Sequence, residues 1–585
     1  MKKVLMLFNK NEKNKLLLIF FMMIVAAVFE TMSIGIIVPF VGVITNPTII
    51  QEQGFLSTLY AVLNFQSTTA FIVFAVVLLL LVFIFKNLYL LFYNYMQYRI
   101  VLNQQVKLST QLFGEYLTKP YTFHLQRNTA ELLRNVNTEV STVFQGIVLS
   151  SFQLFTEVLI TVCILFLLIA SAPTATFVAA FLLGSSIFLF FKLFKREISR
   201  LGTELQLVDV EKIKWVNQGL GASKEVKVSG KEGFFIDSYR KHSLIGVRNS
   251  RFMKMLDLVP RAFIETVLVA TVLITMLIIV FQGNDTTNLI STMALFAMAA
   301  FRLMPSITRI MALITTIKYS QPALNVLYED LFTNKDQFSE KVENLRFDVS
   351  DSRVFNDSIK LRNVSYRYPN QKENSIKEVS LSIPIGKSVA FIGESGAGKT
   401  TIIDIILGLL NPEKGEVLVD QKNLVEQIGL WRQKIGYIPQ TIFLSDDTIR
   451  NNVAFGYSSF CINDEEIWRA LEQANLKEFV KSLPDQLDTT VGERGVRLSG
   501  GQRQRIGIAR ALYHNPEILF MDEATSALDH ETEKEIMTAI DGLKGAKTLI
   551  IIAHRLSTIE NCDIIYKINK GTLVAVENKV KQSAT

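Results

Sequence analysis

Two stretches, Ser388–Thr400 (SVAFIGESGAGKT) and Ile518–Glu523 (ILFMDE), decide how the second half of this chain folds. Ser388–Ile392 is a short apolar run of buried-strand composition, and Ile402–Leu410 behind it has helical periodicity. Between them Gly393, Glu394, Ser395, Gly396, Ala397, Gly398, Lys399 and Thr400 fit the pattern G-x-x-x-x-G-K-[ST]. The glycines let backbone N–H groups converge on phosphate oxygens, the helix N-terminus adds its positive dipole end, and Lys399 supplies a mobile charge. Thr400 is then placed to coordinate Mg2+, with Thr401 beside it. The second stretch ends a buried strand in adjacent acids, which is costly unless a cation or a proton-accepting role justifies them. Asp522 fits the Mg2+ shell and Glu523 fits the base that orients and deprotonates an attacking water. ATP and Mg2+ are the cofactors such a site calls for.

Between these stretches lies Leu498–Gln502, LSGGQ, which resembles the signature of ABC-type ATPases. Other motifs resemble that family in the same order. Gln440 in IGYIPQ is similar to the Q-loop, Thr490–Gly495 to the X-loop, Ser526–Asp529 to the D-loop, and His554 in AHRLS to the switch histidine. Tyr368 in YRYP resembles the aromatic residue that stacks on adenine. Taken singly, Tyr368 is more often a packing aromatic and His554 a satisfied histidine; within the series both point at the nucleotide. The resemblance implies Glu523, His554 and Gln440 as the catalytic set, with Gln440 joining Thr400 and Asp522 near the metal. It also implies that Ser499, Gly500, Gly501 and Gln502 of one subunit close over the phosphates held by Lys399 of another. A homodimer with two hydrolytic composite sites follows. Asn452 departs from the Glu or Gln often found there, with no loss of ATPase expected.

The chain, at 585 residues, is too long for one ordinary domain. With 49% hydrophobic residues, 20% charged residues and a mean hydropathy of +0.29, its composition points to a bilayer. The +7 net charge is spread along the chain, with no stripe suited to nucleic acid. Cys163, Cys461 and Cys562 are far apart and read as packing residues. Six apolar runs precede residue 330: Leu16–Ile44, Ala70–Phe92, Ile147–Ile169, Thr174–Phe191, Phe263–Phe281 and Leu289–Leu313. The first continues past a short signal-type segment and lacks a clear cleavage site, so it reads as a retained helix.

Lys2, Lys3, Lys10, Lys13 and Lys15 crowd the N-terminal tail, whereas Asn46–Thr69, Ser171–Pro173 and Gln282–Asn288 carry no Lys or Arg. Both ends and the ATPase half are therefore expected in the cytosol. The long connections Tyr93–Thr142 and Lys192–Met255 keep helical periodicity, so the helices should run into the cytosol and turn near Tyr121–Asn128 and Ser229–Phe234. These turns would seat on the ATPase domains next to Gln440. The expected architecture is an all-α six-helix transmembrane domain (1–325), a linker (326–357) and an α/β P-loop ATPase domain (358–585). That arrangement resembles ABC half-transporters of the exporter type, whose mechanism is alternating access driven by ATP.

Ionisable residues at membrane depth suggest function, with internal pairing as the structural alternative. Lys86, Arg261, Arg302 and Arg309 are the candidates, and Glu30, Glu157 and Glu265 are available counter-charges. A basic belt suits an anionic headgroup such as pyrophosphate. Phe29–Phe40 and Phe301–Ile310 look similar to stretches of bacterial lipid-linked oligosaccharide flippases of the protein N-glycosylation type. This resemblance implies a polyprenyl-pyrophosphate glycan as cargo, membrane lipids as partners and a bacterial inner membrane as the location. Another amphiphile is the alternative cargo: lipid A, a drug-like lipid or a peptide, the last disfavoured because no peptidase segment precedes the first span. Gln51–Phe65 should form either a short amphipathic external helix or a plain loop. A soluble ABC-type ATPase of DNA repair or ribosome function conflicts with six spans.

Overall fold

The computed structural model describes residues 2–36, 40, 43–44, 54–63, 65, 67–171, 173–281, 286–333, 354–523, 530–553, 559 and 561–579. Two compact units emerge, Met1–Lys119 with Arg127–Phe338, and Pro120–Gln126 with Ser339–Thr585. The first is helical. Its long helices are α1 (Lys10–Gly35), α3 (Thr68–Thr118), α6 (Ser150–Ser171), α7 (Pro173–Gly221), α8 (Glu232–Phe281) and α9 (Thr286–Tyr328), with a short helix α2 (Gly54–Val62) after the first. Three described stretches, Lys10–Ser33, Thr68–Thr118 and Thr129–Phe166, are long and apolar enough to cross a membrane. The other three apolar runs of the sequence fall on α7, α8 and α9.

Helix lengths account for the long connections between apolar runs: α3 has 51 residues and α8 has 50, far more than the ~20 a bilayer needs. Buried Tyr93, Val101, Leu108, Leu112 and Tyr116 continue one apolar face of α3 well past its membrane run. At the first turn Lys119 is extended ahead of Pro120, because proline disfavours a helical residue before it. The chain then forms a short helix, α4 (Tyr121–Gln126), and α5 (Thr129–Arg134) is capped by the Asn128 side chain accepting from Ala130 N. The second turn is made by Gly230, whose left-handed conformation (φ 61°) ends a short helix over Ser223–Ser229.

Small residues set the close helix approaches of this unit. A Cβ on Gly146 would overlap the Ser320 side chain, and one on Gly202 would overlap the Tyr319 carbonyl oxygen, so α7 and the helix leading to α6 press directly on α9. That leading helix contains two π-helical turns, Asn135–Glu139 and Phe144–Leu149, which periodicity does not reveal. The outer segment resolves in favour of a helix: Tyr60 packs its ring on Phe71 at 5.4 Å and on Phe65 at 6.0 Å, seating it on the start of α3.

The second unit is α/β. Strands β3 (Ser388–Ile392), β6 (Ile435–Ile438), β7 (Ile518–Asp522), β8 (Thr548–Ile552), β9 (Ile564–Asn569) and β10 (Thr572–Asn578) form one sheet in the order β10-β9-β3-β8-β7-β6. Its centre is parallel, with β3 flanked by β8 and β9 and β7 flanked by β6 and β8. β7 and β8 are buried along their whole length, as continuous apolar strands covered on both faces must be. An antiparallel sheet of β1 (Ser358–Tyr366), β2 (Ile376–Pro384), β4 (Lys414–Val419) and β5 (Lys422–Asn423) packs beside it through a core that includes Phe391, Ile402, Trp431 and Phe520. The cysteines divide: Cys562 is buried, Cys163 half-buried and Cys461 exposed, so the packing reading fails for Cys461.

Candidate nucleotide site

β3 delivers the chain to the loop 393–398, and helix α10 (Lys399–Ile406) begins at its end. Two glycines are required here. Gly393 has φ 154°, and a Cβ there would overlap Ile568 O on β9; Gly398, the N-cap, has φ 104°, and a Cβ there would lie 2.8 Å from Ile376 Cδ1. Ala397 faces the core, its N–H donating to Glu394 O at 3.1 Å and its carbonyl accepting Gly571 N at 2.9 Å. The loop is thereby fixed on both sides while Glu394, Ser395, Gly396 and Thr400 stay exposed. Lys399 Nζ donates to the carbonyls of Gly393 at 2.9 Å and Glu394 at 3.0 Å, holding its charge over the loop. Burial lowers the ammonium below its ordinary value, and the carboxylates of Glu523 and Asp522 pull it the other way.

Ser395, Gly396, Gly398, Lys399, Thr400 and Thr401 line one cavity of about 580 Å3, together with Tyr368 and Glu523. Tyr368 follows β1, its ring edge-on to Tyr366 at 5.1 Å and its hydroxyl 3.2 Å from Thr401 Oγ1. The cavity also receives Lys570 and Gly571 from the β9–β10 turn, which sequence reading missed. Their signal was the Asn569–Gly571 turn between two alternating strands, and nothing in the sequence ties that hairpin to a loop so far upstream. Asp522 ends β7 buried. Glu523 follows with φ 46°, and its Oε2 accepts Gln440 Nε2 at 2.8 Å. His554 and Ser526–Asp529 lie outside the described residues.

The donor set fits Mg2+: an exposed threonine hydroxyl, a buried carboxylate and a glutamine amide oxygen, hard oxygen ligands that leave room for waters and phosphates. Among the described residues no cluster of three or more His, Cys, Asp or Glu side chains suggests an all-protein metal cage.

Ser499 caps helix α11 (Gly500–Leu512). Its hydroxyl accepts Gln502 N at 3.2 Å, and Gln502 Oε1 accepts Ser499 N at 2.9 Å, a reciprocal capping box. The Gln502 side chain is thus committed to the cap. A Cβ on Gly500 would meet nothing within 4 Å, so the fold of this subunit does not itself demand glycine there. Asn452, a departure in sequence, is fully buried: its side chain accepts from Ser445 N at 3.0 Å and Arg510 Nη2 at 3.1 Å and donates to the carbonyls of Ser445 and Thr448, both at 3.0 Å.

Of the membrane candidates, Lys86 is buried, bonded to Glu30 at 3.1 Å and to Ser33 Oγ at 3.3 Å. Arg309 donates to Glu157 Oε1 at 2.6 Å, yet its side chain is 59% exposed while that of Glu157 is 5% exposed. Ser306 Oγ also donates to Glu157, at 2.7 Å. Arg261 is exposed, and the side chain of Arg302 lies outside the described residues.

The family described as "ABC transporter" matches residues 376–526. The chain is 32% identical over 474 residues to an "ATP-dependent lipid A-core flippase" of Cupriavidus metallidurans, covering 80% of this chain and 77% of that protein. A protein of the same name from Bordetella avium is 32% identical over 385 residues, 65% of this chain and 63% of that one. The fold is that of a solved structure titled "Structure of a bacterial Atm1-family ABC exporter with ATP bound", with a TM-score of 0.77, 22% identity, and 99% and 97% of the two chains covered. A helical membrane unit and an ATPase unit with this loop, acid pair and signature helix, joined in one chain, make the protein an ABC exporter half-transporter, a member of the ABC transporter family.

Proposed function

We propose that the protein is a flippase that uses ATP to move a phosphorylated glycolipid from the cytosolic to the external leaflet of a bacterial inner membrane. The observation that carries the cargo is the 32% identity over 80% of this chain to a protein named for lipid A-core. A polyprenyl-pyrophosphate oligosaccharide is the second reading. It is favoured by the resemblance of Phe29–Phe40 and Phe301–Ile310 to flippases of that type, and by Arg309, which keeps 59% of its side chain exposed. Both cargoes offer a phosphate to which a guanidinium gives paired, charge-assisted bonds. Arg261, exposed on α8, and Arg302 join Arg309 in this reading. Lys86, enclosed against Glu30 and Ser33, instead serves to tie α3 to α1.

In the hydrolytic cycle Tyr368 stacks on the adenine, the loop 393–398 and the α10 N-terminus hold the phosphates, and Lys399 turns from its loop carbonyls to the β and γ phosphates. Thr400, Asp522 and Gln440 would hold Mg2+, which would supply neutralisation of phosphate charge when bound with ATP. Glu523 takes the proton of the attacking water, with Gln440 fixing its carboxylate and His554 completing the set. Ser499 and the N–H groups of Gly500 and Gly501 cap the γ-phosphate held by a second copy of the chain, where an open helix N-terminus places its positive end on the developing charge. Gln502 acts by holding Ser499. A homodimer has two such sites.

Reconstitution in phospholipid vesicles with either purified lipid A-core or a polyprenyl-pyrophosphate oligosaccharide tests the cargo. ATP-dependent loss of the glycan from the face bearing the ATPase domains is expected for lipid A-core. Movement of the polyprenyl-linked glycan alone establishes the second reading, and movement of neither removes both.

A further inference from the structure

The chain passes between its two units after Lys119, after Gln126 and beyond Phe338. Side chains beside the first two passages converge on one buried carboxylate. Asp330, 7% exposed, lies on the π-helical turn Glu329–Thr333 that ends the last membrane helix. Its Oδ2 accepts Tyr116 Oη at 2.5 Å and Asn135 Nδ2 at 3.0 Å, and its Oδ1 lies 3.5 Å from Arg127 Nη2. Tyr116 stands just before the first passage and Arg127 directly after the second.

Asn135 carries the connection onward. Its Oδ1 accepts Arg134 Nη2 at 2.8 Å; Arg134 also donates to Gln206 O on α7 at 2.9 Å and lies 3.1 Å from Glu139, which in turn accepts Gln206 Nε2 at 2.9 Å. Asn135 and Glu139 bound one of the π turns. One polar network therefore joins the ends of α3 and α9, the helix after the first hairpin, and α7.

Holding these helices together does not need buried charge. Apolar packing does so without the desolvation penalty of a carboxylate, and replacing buried ion pairs by apolar side chains is often neutral or stabilising. What a bonded carboxylate adds is direction and a fixed length. The π turn beside it is a less stable form of helix, of the kind found at functional positions.

We propose that Asp330 is a positioning residue for ATP-coupled transport, tying the helix ends beside the first two chain passages to the end of α9, so that a displacement passed along the chain there reaches α3, α7 and α9 together. This rests on the ATPase cycle and not on the identity of the cargo. In Asp330→Asn the carboxylate is lost at nearly constant shape.

The test uses the full chain in phospholipid nanodiscs with ATP, Mg2+ and orthovanadate, measuring trapped ADP and deuterium uptake in one sample. The expected result is trapping within about two-fold of the parent. The trapping-induced change in uptake over 129–149 and 197–221 falls several-fold, and the pair Asp330→Asn with Asn135→Asp, which moves the carboxylate across the same bond, restores most of it. Tyr116→Phe, which removes one hydroxyl, should lower the change about two-fold and carries the test if Asp330→Asn does not fold. A parent-like uptake change in the folded variants, or trapping and uptake change lost together, overturns the proposal.

Discussion

Gln440 and Glu523 are joined at 2.8 Å, Nε2 donating to Oε2, across the ends of the neighbouring strands β6 and β7. The bond fixes the orientation of a carboxylate whose backbone, at φ 46°, stands in a conformation non-glycine residues seldom adopt. Strain at a functional carboxylate is where a fold tolerates it.

Glu523→Gln keeps the shape of that side chain and removes its basicity. ATP binding should persist while turnover falls by ~10²- to 10⁴-fold, the usual worth of a general base. Steady-state hydrolysis together with retained nucleotide checks this; normal turnover contradicts the assignment.

Tyr368 lines the cavity with its hydroxyl 3.2 Å from Thr401 Oγ1, and in the proposed cycle its ring stacks on the adenine. Tyr368→Ala should raise the KM for ATP by about ten-fold, since base–aromatic stacking is worth ~1–3 kcal/mol. Tyr368→Phe should remain within about three-fold of the parent. Equal KM values for the alanine variant and the parent would return Tyr368 to packing alone.

Asn452 fills a buried site with bonds to Ser445, Thr448 and Arg510. Asn452→Ala strands the half-buried backbone groups of Ser445 and Thr448 and removes one bond of the half-buried Arg510 guanidinium, and should destabilise the ATPase unit by ~2–4 kcal/mol. Thermal unfolding measures it, and an unchanged midpoint contradicts the bonding described.

Burial, with the Asp522 charge adding to it, pushes the Asp404 carboxyl up to about 6 from its ordinary 3.8. The folded protein thus favours the protonated form, a contribution fully present below the unfolded value and lost as pH rises through the folded one. Asp404→Asn should stabilise the protein above pH 6 by on the order of 1 kcal/mol after screening by solvent, with the gain vanishing toward pH 4. Melting curves across that window check it; a pH-independent gain contradicts it.

Arg309→Ala should abolish stimulation of ATPase by a phosphorylated glycolipid while basal hydrolysis survives. Because it also leaves the buried Glu157 without its counter-charge, Ser306 remaining as a donor, the comparison is with Arg309→Ala combined with Glu157→Gln, which removes the uncompensated charge. If the double variant regains stimulation, Arg309 is a structural partner of Glu157 and not a ligand of cargo.

The ATPase half was legible because its chemistry is local. Strand, glycine loop and helix are contiguous from Ser388 to Ile406, so spacing alone placed Lys399 and Thr400. The apolar runs were equally legible, since a bilayer imposes length and hydrophobicity on each helix separately. What the sequence hid depends on distant partners. Lys570 enters the cavity through a hairpin, Asn452 is held by bonds made only after folding, and Glu157 takes Arg309 from 152 positions away. The π turns at Asn135–Glu139 and Phe144–Leu149 hold ordinary helix-compatible residues, so periodicity counts them as α-helix.

The central claim is that hydrolysis takes place at a site shared by two copies of the chain, and mixing two inactive variants tests it most directly. Lys399→Ala disables the phosphate loop and Ser499→Ala the cap, so each homodimer lacks every complete site. A mixed dimer regains one of its two. Random pairing of equal amounts should restore about a quarter of parent ATPase activity, half the dimers each carrying half the sites. A mixture as inactive as its components, prepared so that mixed dimers are shown to form, would contradict the account.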